Sequence, residues 1–193
     1  KLDEAEAHFR RAIEVNPDLA VGHCNLGIVH RQRNKLPEAA EAYREALRLD
    51  PDFAMAHLHL GTLLLQFGKR EEARAHLGEA VRLDPFDPFA AFNLAVVLRT
   101  GGKPAEAADQ LERALELEPG FVPALVSLAL IRATSVDESL RDGPAAVELA
   151  DRACSLTQHR HPEALHALAA AYAEVGRFAD ALGVGGRQGV QGL

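Results

Sequence analysis

Apolar and polar positions in this chain recur with two periods at once. Over short stretches, leucine, alanine and aromatic residues return every three or four positions, the spacing that gathers them on one face of a helix. Over longer distances the whole pattern returns every 34 residues: Leu26, Leu60 and Leu94 hold one equivalent place, Tyr43, Leu77 and Leu111 a second, and Leu49, Leu83 and Leu117 a third. Small residues keep the same register, as Gly27, Gly61 and Ala95, then Ala39, Ala73 and Ala107, then Ala46, Ala80 and Ala114. Two helices approach closely only where side chains are small, so these positions predict where a first helix (A) crosses a second (B) in each unit. Pro17, Pro51, Pro85 and Pro119 punctuate the units, each after Asn16, Asp50, Asp84 or Glu118. A fixed period of this size signals a solenoid of helical hairpins.

The pattern predicts full repeats at 20–53, 54–87 and 88–121, preceded by a partial repeat at 1–19. Helix A of the first full unit is expected over Ala20–Arg33 with Asn34 as its stop, Gly68 and Gly102 being the equivalent stops; asparagine and glycine tolerate the left-handed conformation that closes a helix. Helix B opens near Pro37 or Pro104, where a missing N–H costs nothing. The repeat at 122–161 departs from the period: its helix B alanine, Ala146, comes five residues late, which puts an enlarged turn around Ser135–Gly143. That turn either contacts a partner or is the kind of insertion that exposed turns tolerate. A partial repeat at 162–182 carries Leu165, Leu168, Ala169 and Tyr172 and stops at Gly176. Gly183, Gly185, Gly186, Gly189 and Gly192 then follow, and at ~1 kcal/mol each relative to alanine the last helix B is expected to end at Leu182, leaving 183–193 as a disordered tail. Leu2–Val15 reads as a helix B whose partner helix A lies upstream, in a longer protein. The face of Leu2, Phe9 and Ile13 is therefore expected to be poorly covered and able to stack end to end on another copy.

These residues resemble the tetratricopeptide repeat (TPR) family, a 34-residue helix-turn-helix unit with small residues at these places and a terminal proline. The resemblance extends to about Leu182. It implies an all-α, right-handed superhelical solenoid of antiparallel helix pairs, about five repeats with the first and last incomplete, acting as a protein-binding scaffold.

Composition narrows the classes. Aromatics make up 5% of residues and tryptophan is absent, which suits thin two-helix layers better than one thick core. A formal charge of -7 argues against a general nucleic-acid binder, which needs a basic field to meet phosphates. No apolar run reaches the ~18 residues needed to span a bilayer, so membrane insertion is not expected. Cys24 and Cys154 lie more than three repeats apart and are not expected to pair, which is compatible with a reducing compartment; the localisation is open, with the cytoplasm as the expectation.

No catalytic constellation emerges. The serines form no nucleophile elbow, and Gly183-Val-Gly-Gly-Arg187 lacks the lysine and hydroxyl of a phosphate-binding loop, so neither enzymatic activity nor a cofactor is expected. Nine histidines raise the question of a metal. His57 and His59 point to opposing faces, His23 and His57 sit where the family buries bulky side chains, and His159, His161 and His166 lack a clear fourth ligand, so no metal site is assigned.

Charge separates the two helices of each unit. From 20 to 36, 54 to 70, 88 to 104 and 122 to 136, the A-helix stretches of four repeats, there is no aspartate or glutamate, while the B helices carry Glu38, Glu41, Glu45, Glu71, Glu72, Glu79, Glu106, Asp109, Glu112 and Glu116. In the family helix A lines the concave face, so the resemblance implies a neutral to weakly basic groove, with Arg31, Arg99 and Arg132 supplying positive charge. Its groove positions correspond to Val21, Cys24, Asn25 and Ile28, to Met55, Leu58, His59 and Thr62, and to Phe89, Phe92, Asn93 and Val96. Cys24, Leu58 and Phe92 stand where chaperone-binding TPR proteins need charge or amide, which argues against a carboxylate clamp. Asn25 and Asn93 match the asparagine ladder of O-GlcNAc transferase-like arrays, which His59 and Ser127 interrupt. Met55, Phe89 and Phe92 either meet an apolar segment of a partner or pack between adjacent A helices.

The expected function is a non-catalytic scaffold that binds a peptide or helical segment of a partner protein through Asn25, Ile28, Arg31, Met55, His59, Thr62, Phe89, Phe92, Asn93, Val96 and Arg99. The competing readings are a substrate-targeting array of a larger enzyme, such as a glycosyltransferase, and a self-assembling structural solenoid.

Overall fold

The computed structural model describes residues 1–189, and it is all-α. In order the helices are α1 (Leu2–Val15), α2 (Ala20–Gln32), α3 (Leu36–Leu49), α4 (Ala54–Gln66), α5 (Arg70–Leu83), α6 (Pro88–Thr100), α7 (Pro104–Leu117), α8 (Val122–Thr134), α9 (Gly143–Leu156), α10 (Pro162–Glu174) and α11 (Phe178–Gly189), with a 3-10 turn at Glu138–Leu140 between α8 and α9. No strand occurs among the described residues. The chain divides into two compact units, residues 1–97 and from Leu98 onward.

In the first unit α2 packs on α3 and α4 on α5, with α1 against α2 and α3 against α4. The core is built from the small and large positions of the sequence pattern: Ala39, Tyr43 and Ala46 of α3, Leu60, Leu63 and Leu64 of α4, and Ala73 and Leu77 of α5. The crossings are tight. A Cβ on Gly27 would lie 2.6 Å from the Tyr43 ring, and one on Gly61 would lie 2.7 Å from Leu77 Cγ and 3.2 Å from its backbone nitrogen. At the open end Ile13 faces Gly22 of α2, where a Cβ would meet its Cγ1 at 3.2 Å. Ile13 and Phe9 are therefore half-buried rather than uncovered, and Leu2 is the exposed member of the expected stacking face. Beside it Glu6 is buried and held by Arg10 at 2.6 Å and Arg33 at 2.7 Å; Arg33 also pairs with Asp3.

The punctuation has a hydrogen-bond account. Asn34 and Gly68 adopt φ of 59° and 73°, and the next residue closes the helix with a bond back five residues, Lys35 N–H to His30 O and Lys69 N–H to Leu64 O, both 2.9 Å. Gly102 and Gly176 end α6 and α10 in the same way. After α1, α3 and α5, the side chains of Asn16, Asp50 and Asp84 accept the N–H two residues on, at 3.1–3.2 Å, which explains why these residue types precede Pro17, Pro51 and Pro85. His23 and His57 are half-buried and reach back to the same turns, His23 Nε2 lying 3.0 Å from the Pro17 carbonyl and His57 Nε2 2.9 Å from that of Pro51.

In the second unit α8, α9 and α10 pack on one another through Leu125, Ala129, Ala150, Ala153, Cys154, Leu165 and Leu168. The enlarged turn is pinned rather than loose. Asp137 caps the 3-10 turn through Ser139 N–H at 2.9 Å, Asp142 caps α9 through Ala145 N–H at 3.0 Å, and the Asp142 N–H returns to Arg132 O at 2.9 Å. Gly143 is required there, because a Cβ would sit 2.5 Å from Val175 Cγ1. The expected stop at Leu182 is corrected: α11 continues to Gly189. Packing explains the extension, since α11 lies on α10 and Val184 joins the core cluster, and a short helix takes its stability from such contacts more than from propensity. Residues 190–193 of the expected disordered tail lie outside the described residues.

Two glycine replacements should act in opposite directions. Gly61→Ala drives a methyl into Leu77 and should destabilise by about 1–3 kcal/mol, whereas Gly78→Ala meets nothing within 4 Å and should stabilise by about 0.5–1 kcal/mol through helix propensity. Urea melts followed by circular dichroism check both; equal shifts would mean that the crossing is not the constraint.

Candidate functional site

Within the first unit, α2, α4, α5 and the start of α6 enclose a recess of about 360 Å³ lined by Arg31, Ala54, Met55, Leu58, His59, Thr62, Ala80, Asp84, Asp87, Phe89 and Asn93. Helical spacing puts Met55, Leu58, His59 and Thr62 on one face of α4 and Phe89 and Asn93 on one face of α6, each one turn apart. Met55 and Phe89 stand 47% and 53% exposed at its mouth. Thr62 spends its hydroxyl proton on Leu58 O at 2.8 Å. Asn93 donates one amide N–H to Phe89 O at 2.8 Å, leaving its carbonyl oxygen and second N–H for a ligand.

Charge in the recess is arranged around His59. Its ring stacks on Tyr43 with centroids 5.5 Å apart and planes at 29°. Burial, helped by the neighbouring Arg31 guanidinium and opposed by Asp87, pulls its pKa down to about 4, so the imidazole is neutral across the physiological range. Behind it Tyr43 is fully buried, and desolvation raises its pKa to about 12 despite Arg31 beside it. Arg31 and Tyr43 are neighbours without a hydrogen bond of good geometry: Arg31 Nε and the Tyr43 hydroxyl are both buried without a partner. An orphaned buried donor costs about 1–3 kcal/mol, so an acceptor that reached Arg31 would recover part of that. The carboxylates at the rim are engaged locally, Asp84 with Phe86 N–H at 3.1 Å and Asp87 with Phe89 N–H at 2.8 Å.

Seven of the residues singled out from the sequence thus line one recess: Arg31, Met55, Leu58, His59, Thr62, Phe89 and Asn93. The others do not. Ile28 packs on the core, and Asn25, Phe92 and Val96 are half-buried outside the recess lining. Cys24, read as groove-facing, is fully buried, and burial pushes its thiol up to about 12. Arg99 belongs to the second unit, where it borders a separate hollow with Pro104, Leu130, Thr134 and Val136. Sequence reasoning missed Asp84 and Asp87 as parts of the recess. The available signal was the Asp-Pro pair at each end of the 84–88 joint, which marks a turn and the start of a helix.

Sequence profiles described as tetratricopeptide repeat match residues 1–52, 24–88 and 58–121, and a second such profile matches 162–184. No curated protein matches the sequence at a significant level. Among solved structures, YrrB, described as a TPR protein with an unusual peptide-binding site, superposes with a TM-score of 0.74 at 24% identity over 91% of this chain and 88% of that one. PilW, a type IV pilus biogenesis factor, gives 0.78 at 20% identity over 96% and 84%. The O-GlcNAc transferase of Thermobaculum terrenum gives 0.63 at 24% identity over 70% of this chain and 26% of that chain. At these identities the likeness is one of fold.

The depressed His59 pKa fixes a sign. The unfolded chain takes up a proton near the ordinary value of 6.5 and the folded site only near 4, so stability is complete above about pH 6.5 and declines as the pH falls towards 4. His59→Gln should flatten part of that decline. Melting temperatures of both proteins from pH 7.5 to 4 test it; parallel curves would exclude His59 as the source.

Proposed function

Because the chain belongs to the tetratricopeptide repeat family, we propose that it is a non-catalytic protein-interaction module that seats a peptide or helical segment of a partner on the recess formed by α2, α4 and α6. The observation that carries this reading is the convergence of exposed apolar side chains, Met55 and Phe89, with a half-spent amide at Asn93 and a half-buried guanidinium at Arg31. Apolar contact gives affinity, and a few oriented polar groups give register. Arg31 favours an acidic group on the ligand, and the neutral His59 adds no competing charge. Asn93 hydrogen-bonds peptide backbone. Asn25, Ile28, Phe92 and Val96 would serve a longer ligand only where it extends beyond the recess. Among the described residues no helix is long and apolar enough to cross a membrane.

A displayed library of random peptides selected on the wild-type chain tests the proposal. Enriched sequences should contain an acidic residue close to a large apolar one. They should bind the Arg31→Gln, Phe89→Ala, Asn93→Ala triple variant at least about tenfold more weakly by fluorescence polarisation, a loss of ~1.4 kcal/mol or more. Undiminished binding to a variant of unchanged helicity would reject the recess as the site.

A further inference from the structure

The recess carries a charge pattern that a purely acidic ligand does not satisfy. Arg31 brings one positive charge to it, Asp84 and Asp87 bring two negative ones, and His59 is neutral. Asp84 and Asp87 each commit one oxygen, Oδ1, to the backbone N–H two residues on, and among the described residues neither forms an ion pair. An N–H on Oδ1 leaves the carboxylate charged and its Oδ2 open to a second donor. Position 87 also departs from the repeat. The equivalent residues are Leu19, Phe53 and Phe121, of which Phe53 packs on the core of the first unit and Phe121 is buried. Asp52-Phe53 becomes Phe86-Asp87 one repeat later, which leaves Phe86 78% exposed and brings a carboxylate to the recess. The exchange gives up the burial of an aromatic ring. Capping α6 does not by itself account for the charge, because asparagine caps a helix as well as aspartate.

We propose that the recess takes a bipolar segment of its partner, in which a lysine side chain lies across Met55 and Phe89 with its ammonium against Asp84 and Asp87, and an acidic residue meets Arg31. The proposal rests on the recess being the peptide site. Charge complementarity selects the occupant. Closing a ligand over a carboxylate strips water from it, and a carboxylate buried without a cation is costly. A segment that offered acid alone would leave Asp84 and Asp87 in that state. Lysine fits better than arginine. Its four-carbon stem covers apolar surface of the kind that Met55 and Phe89 expose at the mouth. Its ammonium uses single acceptors, whereas the planar guanidinium fork favours both oxygens of one carboxylate, and one oxygen of each aspartate is already engaged. His59 is within reach of both signs: beyond burial, which dominates, Arg31 lowers its pKa and Asp87 raises it.

The test uses pools of labelled heptapeptides, blocked at both ends, with phenylalanine at the centre and the remaining positions drawn from alanine, serine and glycine. One pool fixes a lysine and a glutamate on opposite sides of the phenylalanine, in either order; a second fixes glutamate alone and a third lysine alone. Fluorescence polarisation with the full chain at pH 7.5 should find the mixed pool at least about fivefold tighter than the glutamate pool. The double variant Asp84→Asn, Asp87→Asn keeps the side-chain turns, as Asn16 does at the first joint, and should abolish the advantage of lysine without weakening the glutamate pool. Asp50→Asn alters the equivalent acid of a joint that does not line the recess and should leave the ranking unchanged. A glutamate pool as tight as the mixed one would overturn the bipolar ligand and leave the recess as the peptide site. So would an advantage of lysine that survives the double variant. Absence of binding by every pool up to about 1 mM would overturn both readings. Should the double variant lose helicity, acetylating the lysine of the mixed pool decides on the wild-type chain, since retained affinity would overturn the proposal.

Discussion

The close crossing of helix A over helix B at a residue with no side chain sets the geometry on which the rest of the first unit depends. At Gly61 the α4 backbone lies so near Leu77 that a methyl group has no room, and at Gly27 the same is true of α2 against the Tyr43 ring. Interiors are packed to the density of organic crystals, so such a contact cannot loosen without opening a void elsewhere. It fixes the depth at which Tyr43 sits, and Tyr43 in turn supports His59 by stacking. The neutral wall of the recess is therefore a consequence of a glycine two layers away.

The same burial creates the electrostatic character of the recess. A guanidinium, a phenol and an imidazole are held together where burial penalises charge, and the cheapest way to accommodate them is to leave one charge, on Arg31, and keep the other two neutral. Two carboxylates, Asp84 and Asp87, are close by, but each is occupied in closing a local turn and neither cancels Arg31 by direct contact. Both acids keep their negative charge while they close those turns, so Arg31 faces the recess in the company of two carboxylates rather than unopposed.

Helix positions, stops and crossings were legible because each follows from strictly local chemistry repeated at a fixed interval: Asn34 and Gly68 at positive φ, Asp50 and Asp84 in side-chain turns, and Gly27 and Gly61 at contacts. The site was legible only in part. Helical spacing identified the exposed face of α4 and the start of α6, but it could not distinguish Met55, which stands out, from Cys24, which turns inward, because both readings fit a face that is apolar on almost all sides. Asp87 was invisible for a different reason: it lies between repeats, where the pattern gives punctuation and no direction. The end of the chain misled because propensity argued against a helix that packing on α10 supports.

The joints after each helix B have a consequence for how such a chain assembles. At residues 16–23 and 50–57 the bonds that shape the turn, from the side-chain turn to the histidine that reaches back to the proline carbonyl, each close within six residues. Links this short carry little loop-closure entropy and keep contact order low, so a repeat can order as soon as its neighbour has done so, without waiting for distant sequence. Such a joint is also self-contained genetically. Recombination that duplicates or removes a 34-residue block regenerates an intact joint, which gives this architecture a simple route to change length while leaving each ligand-facing surface whole.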